Sequence, residues 1–355
     1  MKISYISHSR IPCRAANSVQ VMKMCQAFAK NQHEVLLYAL TSEEQIEDVY
    51  AYYGVEKCFN IQRISPKKIL NNQLPDIFYG RDDLKNLLKA ASTGRPVILE
   101  VHCPPKDRTA KYLTEKLLLR KNFKRLVVIS DALSKEYLRL FPALKKEKII
   151  VAHDGADLPK ILVPQDKNFK LLGRNIKPKV GYIGHLYPGK GMEMILNISR
   201  HLPDLDFHVV GGTEEDIEHW RTSIDTNNIY FYGFVSHGLL RDYYNAFDIM
   251  LAPYQYKVST FAGKGNISKW MSPLKIFEYM AHSKAIIASD LPVLKEVLCD
   301  GVNSLLCPPE DVKAWVEALL KLINKRELKE NLAHNAYNEF IAKYTWRKRA
   351  EKVIM

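Results

Sequence analysis

Residues 272–290, SPLKIFEYMAHSKAIIASD, lay out a Pro-Leu-Lys turn, a helix that carries Glu278 one turn in, and then an apolar strand. The first N–H groups of a helix have no partner inside it and attract anions. A carboxylate farther along the same face accepts hydrogen bonds from sugar hydroxyls. The stretch therefore predicts a helix start that holds a phosphate next to a carboxylate that holds a ribose. The strand AIIASD behind it is a short apolar run of the kind that is covered on both faces in a parallel sheet.

Working outward, the same alternation of short apolar strands and longer helical patterns fills the chain. KISYIS precedes a helix over about 18–31, and EVLLYAL, PVILEVH, RLVVIS and KIIVAHDG follow. The pattern restarts at Lys179 with KVGYIG, a helix over about 192–200, DFHVVGG, IYFYGF, DIMLAPY, AIIASD and SLLCP. Strands separated by helix-length segments predict parallel sheets with right-handed crossovers, so the fold class is α/β with two Rossmann-like lobes facing across a cleft. The first lobe is placed at 1–165 and the second at 175–337, with a charged C-terminal helix over about 338–355 anchored by Trp346. Residues 158–179, interrupted by Pro159, Pro164 and Pro178, read as the linker.

The 355 residues suit two domains, and 47% apolar with 26% charged residues is the composition of a globular protein. No run reaches the roughly 20 apolar residues of a membrane span. The N-terminus lacks an apolar stretch of secretory length, so a cytoplasmic protein is expected. Six cysteines without a CxxC pair give neither a zinc site nor a disulfide framework. The net charge of +13 is concentrated in residues 1–160, where 27 basic and 17 acidic residues leave +10. Such a field favours an anionic partner. The span 106–125 has eight basic residues interleaved with Tyr112, Leu113 and Leu117, the pattern of a basic amphipathic helix that lies on an anionic membrane or packs on a core with its basic face in water. No RNA- or DNA-reading motif is present, and no nucleic-acid partner is expected.

Ligands of open parallel sheets bind beyond the carboxyl ends of the strands. That rule draws attention to GYIGHLYPGKG, in which Gly184, Gly189 and Lys190 mimic a phosphate-binding P-loop. Gly191 stands where such a loop needs a magnesium-binding hydroxyl, which leaves a glycine turn with Lys190 and His185 able to face a diphosphate. Between the first strand and first helix, Ala15 and Ala16 allow close approach to the helix start, with Asn17 or Ser18 as its cap. His102 closes PVILEVH. No GxGxxG signature of a dinucleotide-binding oxidoreductase occurs.

In order and spacing, EVH at His102, VVISDAL, KIIVAHDGADL, VGYIGHLYPGKG, FHVVGG, NIYFYGFVSH, FDIMLAPY and SPLKIFEYMA followed by AIIASDLPVLKEVLCDGVNSLLCPPED resemble the retaining GT-B glycosyltransferases of family 4. The resemblance covers nearly the whole chain. It implies that Glu278 binds the ribose hydroxyls, that the backbone at Pro273, Leu274 and Lys275 cradles the diphosphate, and that Lys190 neutralises it. It further implies that Val235 meets the base, that His102 contacts the donor sugar, and that Ala16 approaches the phosphates, while Asn17, Gly184, His185 and Ser272 line the site. Three departures stand out. Trp270 occupies the place of a sugar-reading glutamate, which leaves that contact to Ser272, Lys275 or the loop 255–271. His185 replaces an arginine, and Ala15 and Ala16 replace glycines.

The expected function is a metal- and cofactor-independent transfer of a hexose from a nucleotide diphosphate sugar, UDP-glucose first among UDP- and GDP-sugars, to a polysaccharide or polyprenyl-linked saccharide. The catalytic set is His102, Lys190 and Glu278, and the expected location is the cytoplasm, with peripheral attachment to the inner face of the plasma membrane open to it through 106–125. The rival readings are a sugar-nucleotide epimerase or hydrolase of the same fold and a non-catalytic basic nucleic-acid or membrane-binding module.

Overall fold

The computed structural model describes every residue except 66–68, 70–73, 160–168, 175–177 and 260–264. The chain divides into two compact units. One comprises Met1–Asp154, Trp270–Ser272 and Trp346–Met355, and the other Gly155–Lys269 and Pro273–Thr345.

In the first unit the strands are β1 (Lys2–Ile11), β2 (Glu34–Thr41), β3 (Asn60–Arg63), β4 (Ile77–Arg81), β5 (Val97–Val101), β6 (Phe123–Val128) and β7 (Ile149–Val151). They form one sheet in the order β3-β2-β1-β4-β5-β6-β7, with every pair parallel. Helices α1 (Ala16–Lys30), α2 (Val49–Tyr52), α3 (Leu84–Ala91), α4 (Arg108–Leu118) and α5 (Asp131–Leu140) connect them. One face of the sheet buries Phe78, Leu99 and Leu126 with Leu87 of α3 and Leu133 and Tyr137 of α5. Each such burial contributes about 1.5–3 kcal/mol. The other face packs Tyr5 against Tyr79 at a tilt, 5.0 Å between ring centres, with Phe28 of α1 5.3 Å from Tyr79.

The second unit carries β8 (Val180–Ile183), β9 (Phe207–Val210), β10 (Ile229–Phe231), β11 (Ile249–Ala252), β12 (Ala285–Ser289) and β13 (Leu305–Cys307), again all parallel, in the order β10-β9-β8-β11-β12-β13. Its helices are α6 (Met192–His201), α7 (Glu214–Arg221), α8 (Arg241–Ala246), α9 (Leu274–Ala281), α10 (Val312–Asn324) and α11 (Arg326–Lys343). Trp220 and Trp315 anchor the core, and each indole N–H is satisfied, at Leu186 O (3.0 Å) and Pro308 O (2.9 Å).

The unit boundaries differ from the expected 165/175 and 338. The first unit ends at Asp154 because Ala156 bridges to Thr345 and its N–H donates to Tyr344 O (3.1 Å), both in the second unit. Most of the expected linker, 160–168 and 175–177, lies outside the described residues. The C-terminal helical tail is two helices. α11 stays with the second unit, where Glu339 accepts from Asn303 Nδ2 (2.6 Å). α12 (Trp346–Ile354) joins the first, where Arg347 O accepts from Asn31 Nδ2 (3.1 Å) and Ile354 O from Lys124 Nζ (3.0 Å).

Two strands go unmarked in the sequence reading. β4, IFYGR, lies between β1 and β5 with all five residues buried. It is too short to show either periodicity, and it runs into charged Asp82 and Asp83. β3 is a four-residue strand at the edge of the sheet order.

Candidate active site

The strand order of the second sheet reverses between β8 and β11, so its ligand crevice lies beyond the carboxyl ends of those strands. Gly184 follows β8 with φ +149°, and a Cβ there would lie 2.6 Å from Lys275 Nζ, so the absence of a side chain is what lets that ammonium sit on the backbone. Gly189 has φ +82°, and its Cβ would lie 1.8 Å from Lys257 O. The glycine turn is laid against the segment after β11, and Gln255 N donates to Gly189 O (3.0 Å). The room given by Gly189 is therefore filled by the protein's own backbone, a reason for glycine there that owes nothing to a phosphate.

This packing fixes two cations. Lys190 Nζ lies 5.4 Å from the centre of the Tyr254 ring. Lys275, in the first turn of α9, extends over Tyr182 with Nζ 3.6 Å from the ring centre and 5.3 Å from that of Tyr254. Burial lowers Lys190 to about 8. Burial, then repulsion by Lys190, pushes Lys275 well below the usual lysine range, against the pull of Glu278. The ring of His185 stacks on Tyr187 (4.7 Å, 11°), and its carbonyl accepts from Tyr182 OH (2.6 Å).

Pro273 is the N-cap of α9 and offers no side chain to the free N–H groups of the first turn. Positions 275 and 278 are one turn apart on the same face. Glu278 is held from both sides: Oε1 lies 2.9 Å from His237 Nε2 and Oε2 accepts from Tyr244 OH (2.6 Å). Tyr244 is itself stacked on His282 (4.4 Å), whose burial lowers it to about 4 and keeps it neutral. A carboxylate has about four acceptor positions, so a held carboxylate can still accept from hydroxyls. Half-buried Val235 lies in the segment between β10 and the short helical turn His237–Leu239.

In the first unit the buried centre is Glu100 of β5. It accepts from Gln20 Nε2 (2.7 Å), Tyr79 OH, His102 Nε2 (2.7 Å) and Arg349 Nη2 (2.9 Å) of α12. Burial alone would raise its pKa, but Arg349 and His102 override that and hold it well below the usual range. With Nε2–H committed to Glu100, a neutral His102 presents Nδ1 as an acceptor. Asp154 lies 3.7 Å from Arg349 Nη2, and burial raises its carboxyl. The ligand atoms of Glu100, His102 and Asp154 lie within 4.8 Å of one another, but both carboxylates already face the Arg349 guanidinium.

Residues 177–325, which contain the whole Lys190–Lys275–Glu278 arrangement, match the family model of glycosyl transferases group 1. This stretch, under half of the chain, is similar to that family. An uncharacterized glycosyltransferase of Methanocaldococcus jannaschii is 29% identical over 251 residues, which is 67% of this chain and 59% of that protein. The match thus spans less than two thirds of the relative's length. Among solved structures, sucrose-phosphate synthase of Thermosynechococcus elongatus superposes with TM-score 0.70 at 16% identity over 99% of this chain and 96% of that one. Anabaena HepE in complex with UDP-glucose gives 0.71 at 14% identity over 99% and 98%. These likenesses show the fold, which is GT-B.

Within the matched stretch, Gly184, His185, Lys190, Val235, Pro273, Leu274, Lys275 and Glu278 all belong to the second unit. Ser272 groups with the first unit instead, where its Oγ accepts from Asp154 N (2.8 Å). Trp270 also sits there, packed against the first unit's core with its carbonyl bonded to Ser130 Oγ (3.0 Å). Part of the loop 255–271, residues 260–264, lies outside the described residues. Ala16 is the exposed first residue of α1, and Ala15 is its N-cap with no side-chain bond. Neither expected cap stands at the N-cap position: Asn17, inside the first turn, accepts from Ser18 N (3.0 Å) and donates from Nδ2 to Ser9 Oγ (3.2 Å), and Ser18 Oγ donates to Cys13 O and Ala15 O, both at 2.7 Å.

The basic span 106–125 is not one helix: α4 ends at Leu118 and β6 begins at Phe123. Lys124 is turned onto Ile354 O, while Tyr112 and Leu119 are more than half exposed with Lys116 Nζ 4.5 Å from the Tyr112 ring. Among the described residues no helix is long and apolar enough to cross a membrane. Sequence reasoning overlooked His237, Tyr244, Glu100 and Arg349. For His237 the nearby strand IYFYGF was a usable signal, since the segment after a strand was already under suspicion.

Proposed function

We propose that the protein is a retaining glycosyltransferase that moves a hexose from a nucleotide diphosphate sugar, UDP-glucose first, to a polysaccharide or lipid-linked saccharide. The carrying observation is that two lysines without an ion-pair partner among the described residues, the open first turn of α9 and a pre-oriented Glu278 converge at the switch point of the second sheet. The family match and the fold support the reading.

In this reading the first-turn N–H groups of α9 and the lysines take the diphosphate, and Glu278 accepts the ribose hydroxyls. Negative charge grows on the diphosphate as the sugar C1–O bond breaks, so fixed positive groups there stabilise the transition state more than the ground state. The lysines do this without a metal. The acceptor hydroxyl attacks the face that the leaving group vacates, and a β-phosphate oxygen takes its proton. His102, oriented through Glu100, offers Nδ1 to a donor-sugar hydroxyl. Exposed Tyr112 and Leu119, with Arg108, Lys111 and Lys116 on α4, are the part of the basic span left to meet an anionic membrane at the cytoplasmic face.

A thermal-shift screen of UDP- and GDP-sugars tests the reading. At least one donor is expected to raise Tm, and Glu278→Ala is expected to abolish the shift. Stabilisation by no nucleotide sugar would refute it, and sugar release at full rate without acceptor would make the enzyme a hydrolase.

A further inference from the structure

The two edges of the first sheet carry opposite charge. Its strands are all parallel, so the loops that precede them lie at one edge and the loops that follow them at the other. Among the described residues of the following edge, exposed Glu43, Glu44 and Glu47 stand after β2, Asp82 after β4, Asp107 after β5 and Asp131 after β6. They outnumber the exposed Arg10, Arg14, Lys106 and Arg108 of that edge. The loops 92–96, 119–122 and 141–148, which precede the neighbouring strands β5, β6 and β7, reverse the sign. There Arg95, Arg120, Lys121, Lys145 and Lys146 are exposed, and Glu147 is the one acid. These loops are joined, since Asn122 Nδ2 donates to Arg95 O (2.6 Å) and Lys148 Nζ to Phe123 O (3.0 Å). Leu119, 67% exposed, opens to water beside Arg120 and Lys121. A dissolved polyanion has no use for an open leucine among cations, whereas the interface of an anionic bilayer takes both. The acidic edge is repelled by the same surface, so the charge sets orientation as well as affinity.

Resting on the reading of a lipid-linked acceptor, we infer that the amino edge of β5, β6 and β7 seats the protein on an anionic bilayer, and that its acceptor is a lipid-linked saccharide already several units long. The contact differs from a helix laid flat on lipid: α4 runs from the carboxyl edge at Arg108 to the amino edge, so only its last turn, with Lys116, joins this surface. Arg95 and His102 flank the same strand, β5, at opposite ends. At about 3.3 Å per residue they stand about 23 Å apart. A seat on Arg95 therefore turns the His102 end away from the lipid. A single sugar on its lipid phosphate stays at the headgroups, and a grown chain reaches across the gap.

Sedimentation of the full chain with vesicles of phosphatidylcholine, with and without phosphatidylglycerol, tests the seat. Each cation near an anionic surface is worth roughly 5-fold in binding, so Arg95→Gln with Lys146→Gln is expected to cost roughly 25-fold on the mixed vesicles. Arg10→Gln with Lys106→Gln changes the net charge equally at the other edge and is expected to cost no more than a few-fold. Bound protein is expected to gain hydrogen-exchange protection in 92–96, 119–122 and 141–148 but not in 42–48. Equal losses in the two pairs, protection at 42–48, or binding of an oligonucleotide through Arg95 and Lys146 with none to vesicles would overturn the seat. The acceptor is tested with polyprenyl diphosphates carrying one sugar or a longer saccharide. The longer one is expected to be preferred in mixed vesicles, and the preference to shrink in detergent, where no bilayer plane fixes the distance. Equal use of both in vesicles would overturn the inference about length. If the seat is found and neither lipid accepts sugar from any nucleotide sugar, the transferase reading falls and the seat stands.

Discussion

Replacing Arg349 by methionine removes the one guanidinium that reaches Glu100 from α12. In the folded chain Arg349 Nη2 and Nη1 lie 2.9 and 3.3 Å from the two Glu100 oxygens, and Nε donates to His153 O (2.9 Å). Both side chains are buried. The variant keeps three donors on Glu100, from Gln20, Tyr79 and His102, but loses its full countercharge. Breaking a buried pair by deleting one partner costs about 3–5 kcal/mol. For a unit of roughly 150–250 residues each kcal/mol lowers Tm by about 2–4 °C, so a drop on the order of 6–20 °C is expected. The sign with pH follows from Glu100. Its folded pKa is depressed, so the stabilisation is full above the unfolded value near 4.3 and is lost as pH falls toward the folded value. The Arg349→Met deficit should therefore shrink on acidification below about pH 4. Urea unfolding of the parent, Arg349→Met, Glu100→Gln and the double variant closes the cycle. The double variant should recover much of the loss, because the orphaned charge is gone. An Arg349→Met variant within 1 kcal/mol of the parent, or a double variant no more stable than Arg349→Met, would refute the argument that α12 is held by this pair.

His237→Ala removes one of the groups that orient Glu278, and a roughly 3- to 10-fold loss of UDP-sugar affinity is expected with Tm nearly unchanged, because His237 is partly exposed; unchanged affinity by calorimetry would show that His237 is not needed to orient the carboxylate. Gly189→Ala must adopt a left-handed φ at about 1–2 kcal/mol and also displace Lys257 O, whereas Gly301→Ala shares a φ of +70° but meets nothing within 4 Å. The first should lower Tm clearly more than the second and disturb donor binding through Lys190, and equal Tm losses would argue against the clash.

What the sequence determined by itself was the α/β class, two parallel-sheet units, the position of α9 and the identity of Glu278, Lys190 and Lys275 as candidates. All of these rest on local rules: strand and helix periodicity, glycine and proline punctuation, and the anion affinity of a helix start. β12 and α6 were legible for the same reason, each carrying its own pattern. β4 was not, because a five-residue strand is specified by the neighbours β1 and β5 that cover it rather than by its own residues. The tertiary structure alone decided who holds Glu278, since His237 and Tyr244 are 41 and 34 positions away in the chain and meet it only when β10, α8 and α9 pack. It alone assigned α12 to the first unit, through Arg349 reaching a glutamate 249 positions away. It also grouped Ser272 and Trp270 with the first unit, since the chain changes unit between 272 and 273. A long-range hydrogen bond leaves no periodic trace in sequence, because either partner alone reads as an ordinary polar residue. Lys275 shows both halves of this division, a helix-start lysine in the sequence that only packing reveals as a buried ammonium without a hydrogen-bond partner among the described residues.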